Sequence, residues 1–190
     1  MTTFWEKLAI GTAAMAAAAI CVAKSPGLPV VENVDLARYM GDWYEISHIP
    51  NFPQKDCTDT IVHYRLRDDG GFDLLNTCWK NGKYKPYSGR ATRVDPKSAA
   101  KFRVKFFVFF GGDYWIVDLD PEYRWAVVGN PARDQLWVIS REQTLDAKIY
   151  DALLIRARAL GFDTQKLVKT IVTGKASQGF ATSPRIIRPV

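Results

Sequence analysis

The residues of this 190-residue chain with the most specific chemistry are two histidines, His48 and His63, and three cysteines, Cys21, Cys57 and Cys78. No third ligand accompanies the histidines at the spacing that a zinc site uses, so we expect no metal and no other cofactor. Cys57 and His63 could form a thiol–imidazole nucleophile, but a cysteine held in a disulfide cannot attack a substrate. Because the number of cysteines is odd, at most one internal pair can form. We therefore expect a protein that is not an enzyme.

The composition is that of a globular chain rich in aromatic rings, with 47% hydrophobic and 13% aromatic residues. This apolar content excludes disorder for most of the chain. The net charge of +6 favours contact with anionic surfaces without identifying one. Basic and aromatic residues interleave at 101–105, but their strict alternation fits the outer face of a strand. We therefore expect no nucleic-acid partner.

The amino-terminal segment has the pattern of an export signal. Residues 8–23 are uncharged and half of them are alanine; this stretch is long enough for a secretory signal and marginal for crossing a bilayer. We assign residues 1–23 to an export signal or N-terminal anchor. Cys21 is a candidate for lipidation, because a bacterial lipoprotein signal ends just before such a cysteine. Ile20 is bulkier than the residue usual at that position.

Between the ends, turn signals such as Asp68–Gly71 and Asn81-Gly82 separate runs rich in β-branched and aromatic residues. The runs predict eight strands, at residues 43–49, 58–67, 72–80, 87–94, 102–109, 114–119, 123–129 and 135–141. Short connections imply antiparallel neighbours, and eight antiparallel strands lose their exposed edges by closing. We predict an all-β, eight-stranded antiparallel up-and-down β-barrel, or calyx, whose interior can hold one small ligand.

A helical pattern follows the last strand. Apolar residues recur every three or four positions from about residue 144 to 160, with Thr144 at the start and Gly161 after the last turn. This predicts one C-terminal α-helix packed outside the barrel. Residues 174–190, with glycine, serine, two prolines and three basic residues, predict a flexible basic tail. The barrel domain accordingly covers residues 24–173.

Residues 41–46, Gly-Asp-Trp-Tyr-Glu-Ile, resemble the Gly-x-Trp signature that opens the first strand of lipocalins. An ordered set of further motifs fits one branch of that family: Tyr64–Gly70, Leu75-Asn76, Gly89–Ala91, Asp120–Tyr123 and Leu136–Arg141. The resemblance covers roughly residues 28–172. It is to the bacterial outer-membrane lipocalin group, which is related to animal apolipoprotein D and plant temperature-induced lipocalins.

The resemblance implies a structural signature made of Gly41, Trp43 and Arg141. The tryptophan that matches Trp43 sits at the closed end of the barrel in this family, and the arginine that matches Arg141 packs over it. A guanidinium stacked on an indole contributes about 0.5–2 kcal/mol. We therefore interpret this pair as a lock on the fold rather than a catalytic dyad.

The resemblance also implies a set of pocket-lining positions. The residues that match positions lining the ligand pocket in this branch are Tyr64, Asn76, Trp137 and Ile139. Strand alternation adds Phe106 and Trp115 as candidates, although their strands are apolar on both faces. For any one of these rings, ordinary core packing is the alternative.

The implied function is the binding, storage or transport of fatty acids, lysophospholipids or similar amphiphiles in the bacterial cell envelope, in the periplasm or at the outer membrane. A membrane surface is an expected partner, and a homodimer is left open. Basic residues in or near the expected mouth loops would attract anionic head groups; these are Lys80, Lys83, Lys85 and Arg133. The alternatives are a binder of a pigment or tetrapyrrole and a lipocalin-fold enzyme that acts on a bound lipid.

Cys57 and Cys78 lie at the start of the second predicted strand and the end of the third, so the intervening turn brings them to the same side. Regular pairing would place Cys78 opposite about residue 61. A bridge therefore needs a bend or bulge before Thr58. Export favours the bridge, although animal relatives use a different partner for the cysteine that matches Cys57. Cys21 is then the odd cysteine, either removed with the signal or lipidated.

Overall fold

The computed structural model describes residues 27–106 and 111–175. The elements of this part of the chain are α1 (Leu36–Tyr39), β1 (Gly41–His48), β2 (Cys57–Leu66), β3 (Phe72–Lys80), β4 (Lys83–Arg93), β5 (Lys101–Phe106), β6 (Gly111–Leu119), β7 (Trp125–Gly129), β8 (Leu136–Ser140), α2 (Ala147–Ala159), a 3-10 turn (Thr164–Lys166) and β9 (Val168–Lys169). The expected export signal with Cys21, and residues 176–190 of the expected tail, lie outside the described residues. None of the helices within the described ranges is both long enough and apolar enough to cross a bilayer.

The first eight strands form a closed antiparallel barrel. Each strand from β1 to β8 pairs with the next along the chain, and β1 also pairs with β8. Up-and-down connectivity follows from the short connections, which can join only antiparallel neighbours. The predicted eight-stranded barrel with one helix outside is confirmed, and a short ninth strand pairs with β1.

A bulge near the start of β2 brings the two cysteines together. The pairing of β2 with β3 shifts between Thr58 and Ile61, and Asp59 adopts a positive φ of 50°. Cys57 consequently lies opposite Lys80, and its Cα is 5.6 Å from that of Cys78. The disulfide between these cysteines is formed. The predicted bridge is confirmed, whereas the bulge that it needs lies between Thr58 and Ile61 and not before Thr58 as predicted.

Helix α2 begins two residues later than the sequence pattern indicates, because Asp146 rather than Thr144 is its cap. The Asp146 carboxylate accepts hydrogen bonds from the backbone N–H groups of Lys148 and Ile149. The helix ends where Gly161, at φ 92°, donates to the Arg158 carbonyl. Positive φ at that position favours glycine, which explains the stop signal in the sequence.

Two apolar clusters lie on opposite faces of the barrel wall. The inner cluster fills the closed end around Trp43, Phe72 and Phe102. The outer cluster lies between α2 and the sheet and includes Leu153 of the helix and Val138 of β8. The helix therefore covers one side of the wall and leaves the interior to the strands.

A C-terminal strap, defined as residues 168–175, completes the wall beside the open end. β1 and β2 pair only as far as Tyr44, and beyond that point the strap lies between them. Asp59 holds the strap: its backbone N–H donates to the Ile171 carbonyl, and its carboxylate accepts from the N–H groups of Thr173 and Gly174. The strap is also fastened to the barrel at Lys175, whose carbonyl accepts a hydrogen bond from Trp79 Nε1.

Candidate ligand-binding site

One end of the barrel is closed by Arg141 and Trp43. The Arg141 guanidinium carbon lies 3.7 Å from the centre of the Trp43 ring, which is completely buried. Trp43 Nε1 donates to the Tyr39 carbonyl at 2.9 Å. Arg141 Nη1 donates to the Asp42 carbonyl, and Nη2 donates to the carbonyls of Arg38 and Met40, at 2.7–2.8 Å. The plug therefore joins β8, β1 and the end of α1.

Gly41 allows the chain to turn into β1 beneath this plug. Its φ is +89°, a conformation that side-chain-bearing residues rarely adopt, and a Cβ there would lie 3.5 Å from Arg141 Nη1. The three residues of the structural signature, Gly41, Trp43 and Arg141, thus meet at one place. Arg141 contacts the Trp43 ring and backbone carbonyls, and Trp43 also packs against the Tyr39 ring at the closed end of the barrel.

Above the plug the barrel encloses a cavity of about 160 Å³ that opens at the opposite end. A single water needs roughly 10–15 Å³, so the cavity can hold a ligand of several atoms. Five of the six candidate ligand residues line it: Tyr64, Asn76, Phe106, Trp137 and Ile139. The strands bring these side chains together from β2, β3, β5 and β8, as alternation within each strand requires.

The sixth candidate, Trp115, does not line the cavity. It packs in the outer cluster beneath α2, and Lys101 Nζ lies 5.0 Å from the centre of its ring. Its neighbour Tyr114 points inward instead. The assignment of Trp115 was wrong because β6 is apolar on both faces, so its pattern does not reveal its direction. The pairing of Tyr114 with the inward Phe102 carries that information.

Three tyrosine hydroxyls form a chain at the floor of the cavity. Tyr114 Oη lies 2.6 Å from Tyr39 Oη and 2.8 Å from Tyr64 Oη, and Tyr64 and Tyr114 line the cavity. Burial raises the pKa of all three phenols. Three hydroxyls carry three protons, and the two contacts use two of them. One O–H donor is left for a group in the cavity.

The loop between β1 and β2 is fastened over the open end by Gln54. Its Nε2 donates to Glu45 Oε2 at 2.5 Å, and its Oε1 accepts from Trp137 Nε1 at 2.9 Å. Asn51 Nδ2 also donates to Gln54 Oε1, at 2.5 Å. Gln54 therefore links its loop to β1 and β8 and lies in the path to the cavity. The sequence offers no periodic signal for this residue, because it lies in an irregular loop.

Glu45 is a buried carboxylate on the cavity wall. Its Oε1 accepts a hydrogen bond from the Thr170 hydroxyl of the strap at 2.6 Å and lies 2.9 Å from His48 Nδ1. The other charged residue on the wall is Asp113, whose carboxylate pairs with Arg103 at 3.0 Å. Within the described residues, no lysine or arginine lines the cavity. The lining is therefore acidic rather than basic.

The basic residues expected at the mouth divide into two groups. Lys80, Lys83 and Lys85 lie on the β3–β4 hairpin at the rim, outside the cavity lining. Arg133 lies in the loop between β7 and β8, and its Nε donates to the Leu160 carbonyl at the end of α2, at 2.6 Å. A cation at a helix carboxyl terminus complements the last carbonyls. Arg133 therefore lies in a loop at the open end, as expected, but its guanidinium contacts the end of α2 and does not line the cavity.

Cys57 and His63, the residues considered for a thiol–imidazole nucleophile, make other contacts in the structure. Cys57 is bridged and forms no nucleophilic pair with His63. His63 Nδ1 lies 2.5 Å from Asp42 Oδ1 on the outside of the barrel. Over residues 27–106 and 111–175, no cluster of histidine, cysteine or carboxylate side chains could hold a metal ion.

A closed calyx with a Trp–Arg plug at one end, an outer helix and an internal cavity defines a barrel that binds small ligands. A family model described as a lipocalin-like domain matches residues 34–171, and the chain belongs to the lipocalin family. Membership and the cavity together support the binding of a small hydrophobic ligand.

Similar proteins come from several kingdoms. Temperature-induced lipocalin-1 of Arabidopsis thaliana is 41% identical over 152 residues, which cover 75% of this chain and 82% of the relative. Outer membrane lipoprotein Blc of Escherichia coli K12 is 35% identical over 167 residues, covering 85% and 94%. Insecticyanin from the tobacco hornworm Manduca sexta superposes with a TM-score of 0.64 over 80% of this chain and 87% of that chain. At 18% identity that likeness concerns the fold alone.

Proposed function

We propose that the protein binds fatty acids, lysophospholipids or similar amphiphiles and stores or transports them in the bacterial cell envelope. The observation that carries this proposal is the cavity, which is plugged at one end and reachable from the other. Its wall is mostly apolar, with side chains that suit an acyl chain: Val62, Leu74, Val104, Val128 and Ile139. A concave apolar site with a few polar groups at its ends is the usual form of a small-ligand site.

The charges of the wall favour particular head groups. A carboxylate drawn inside would meet Glu45 and Asp113, and like charges in a poorly hydrated site repel strongly. We infer that the acyl chain enters first and that an anionic group stays at the rim, near Lys83 and Lys85. The free tyrosine O–H at the floor suits a neutral oxygen, such as a hydroxyl or a carbonyl, or a retained water.

The cellular location is part of the same proposal. Blc of Escherichia coli, named an outer membrane lipoprotein, covers most of this chain at 35% identity. The export pattern of residues 1–23 and the placement of Cys21 agree with an envelope protein. The disulfide between Cys57 and Cys78 is of the kind that persists in an oxidising compartment.

Displacement of a fluorescent fatty acid by lysophospholipid, measured on the purified full chain, tests the binding step. We expect saturable binding at one ligand per barrel and full displacement. Val104→Trp fills the cavity from a buried lining position and should weaken binding at least tenfold. Ile155→Trp, on the exposed side of α2, is the matched control and should leave binding unchanged.

Thermal unfolding of both variants checks that each is folded before binding is compared. Failure of the wild-type chain to bind any acyl amphiphile would overturn the proposal. A coloured ligand retained through purification would then favour the pigment-binding alternative.

A further inference from the structure

The rim of the open end carries lysines that form no ion pair within the part of the chain that the structure describes. We name as the lysine rim Lys55, Lys80, Lys83, Lys85 and Lys175. No ion pair joins any of these five side chains to another residue in the part of the chain that the structure describes. In contrast, arginines at the closed end are paired with acids, for example Arg65 with Asp73 at 3.0 Å and Arg124 with Asp120 at 2.8 Å.

Strand pairing places these lysines side by side. Lys80 lies opposite Lys83 across the β3–β4 turn, and Cys78 lies opposite Lys85. Lys83 and Lys85 share the inward face of β4 with Tyr87, which lines the cavity, so they lie on the side of the hairpin that faces the entrance. The rim is therefore continuous with the way into the cavity.

The strap and the β1–β2 loop add the other two lysines. Trp79 of β3 donates its Nε1–H to the Lys175 carbonyl at 3.1 Å, and Lys175 Nζ lies 5.5 Å from the centre of the Trp79 ring. Lys55 is exposed in the loop that ends at Cys57. The segments 50–57 and 80–85 and residue 175 contain a single acidic residue, Asp56. Positive charge therefore dominates the lysine rim.

An exposed aromatic ring projects from the same edge. Phe52, in the loop that Gln54 fastens over the mouth, is 89% exposed. It is the most exposed of the large hydrophobic side chains among the described residues. A ring left in water next to unpaired lysines is the combination found where proteins rest on lipid head groups: the cations meet phosphates and the ring enters the apolar boundary.

We propose that the lysine rim and Phe52 dock the open end of the barrel on an anionic lipid surface, with the cavity entrance facing the bilayer. This inference rests on the proposed function, because docking in that orientation lets an amphiphile pass between the bilayer and the cavity without crossing water. Phe52 and the continuity of the rim with an apolar cavity favour lipid over nucleic acid or an acidic protein. A nucleic acid or an acidic protein bound at the rim would make no use of the cavity entrance.

The test compares two double variants of the full chain that change charge equally. Lys83→Glu with Lys85→Glu alters the rim, and Lys97→Glu with Lys148→Glu alters exposed lysines at the closed end. Binding is measured by co-sedimentation with vesicles of phosphatidylcholine and of phosphatidylcholine with phosphatidylglycerol at 7:3. Because both variants keep residues 1–23, any contribution of the amino-terminal segment is the same in each.

We expect the rim variant to lose at least tenfold in binding to the anionic vesicles, since each lysine near such a surface contributes about 5-fold. The closed-end variant should stay within about twofold of the wild type by the same reasoning. Phe52→Ser should weaken binding to the anionic vesicles while leaving its salt dependence unchanged. Equal losses in both double variants, or binding that ignores phosphatidylglycerol, would overturn the proposal.

Two further measurements separate this proposal from its alternatives and from the proposed function. A shift of the rim variant alone in size-exclusion chromatography would identify the rim as a contact between two copies and overturn membrane docking. Fatty-acid displacement in solution, without vesicles, should be unchanged in Phe52→Ser, because Phe52 does not line the cavity. Absence of acyl binding by the wild type in that assay would count against the proposed function only.

Discussion

Arg141 stacks over Trp43 with its guanidinium carbon 3.7 Å from the centre of the indole ring, and the same side chain caps the backbone carbonyls at the end of α1. One residue thus seals the barrel and holds the chain entering β1. Arg141 contacts the Trp43 ring and backbone carbonyls and does not line the cavity. A change at Arg141 should therefore affect the stability of the closed end and leave the ligand contacts in place.

Arg141→Ala should destabilise the fold by about 2–4 kcal/mol, because it removes the stacking and leaves carbonyls without donors. The melting temperature should fall by about 5–15 °C. Arg141→Lys keeps the charge but loses the planar group that stacks on Trp43 and spreads its donors over separate carbonyls, so it should recover only part of the loss. Unchanged melting of Arg141→Ala would contradict the lock that we assign to this residue.

The bridge between Cys57 and Cys78 closes a loop of 21 residues at the open end. Replacing both cysteines by serine should lower the free energy of unfolding by about 3 kcal/mol. Chemical denaturation measures this, and thiol labelling before and after reduction counts the bridged cysteines. Labelling of Cys57 and Cys78 in the unreduced native protein would show that no bridge forms.

The buried tyrosine chain predicts a loss of stability in alkali. The pKa values of Tyr39, Tyr64 and Tyr114 are raised in the folded state, chiefly by burial. Their contribution is therefore complete below the ordinary phenol pKa near 10 and is lost as the pH rises above it. The step in absorbance at 295 nm from these phenols should coincide with unfolding seen by circular dichroism.

Tyr114→Phe provides the control for that titration, because it removes the central hydroxyl of the chain. The step that accompanies unfolding should shrink by one phenol. Reversible ionisation of all three tyrosines near pH 10, with the fold intact, would contradict their placement at the floor.

The hydrogen bonds of Gln54 with Glu45 and Trp137, which we call the Gln54 latch, predict faster ligand exchange when the side chain is removed. Gln54→Ala breaks the links from the β1–β2 loop to Glu45 and Trp137 and should raise the rates of both entry and release. Stopped-flow fluorescence with a fluorescent fatty acid measures the two rates. Gln165→Ala, in the turn after α2, is a matched control, and equal effects of the two changes would count against the latch.

The barrel was predictable because its signals are local. Turn residues set the strand boundaries, and the Gly-x-Trp pattern marked the closed end. The cysteine positions required a bulge near the start of β2, although it lies at Asp59 and not before Thr58. The direction of side chains failed where a strand is apolar on both faces, as at Trp115. There the register with β5, a long-range property, decides which residue faces the cavity.

The strap and the latch were beyond sequence reasoning for a related reason. Gln54 and Thr170 reach Glu45 from irregular segments far apart in the chain, and such polar contacts leave no periodic trace. The basic residues near the mouth were recognised, but charge alone does not distinguish a rim residue such as Lys83 from a helix cap such as Arg133.

Trp137 lines the cavity, whereas Trp115 lies outside it beneath α2, and this difference gives the most direct test of the ligand site. The measurement is quenching of tryptophan fluorescence by an amphiphile with a brominated acyl chain, in the wild type, Trp137→Phe and Trp115→Phe. We expect saturable quenching in the wild type and in Trp115→Phe, and much weaker quenching in Trp137→Phe. Quenching that depends on Trp115, or that never saturates, would contradict a ligand inside the barrel.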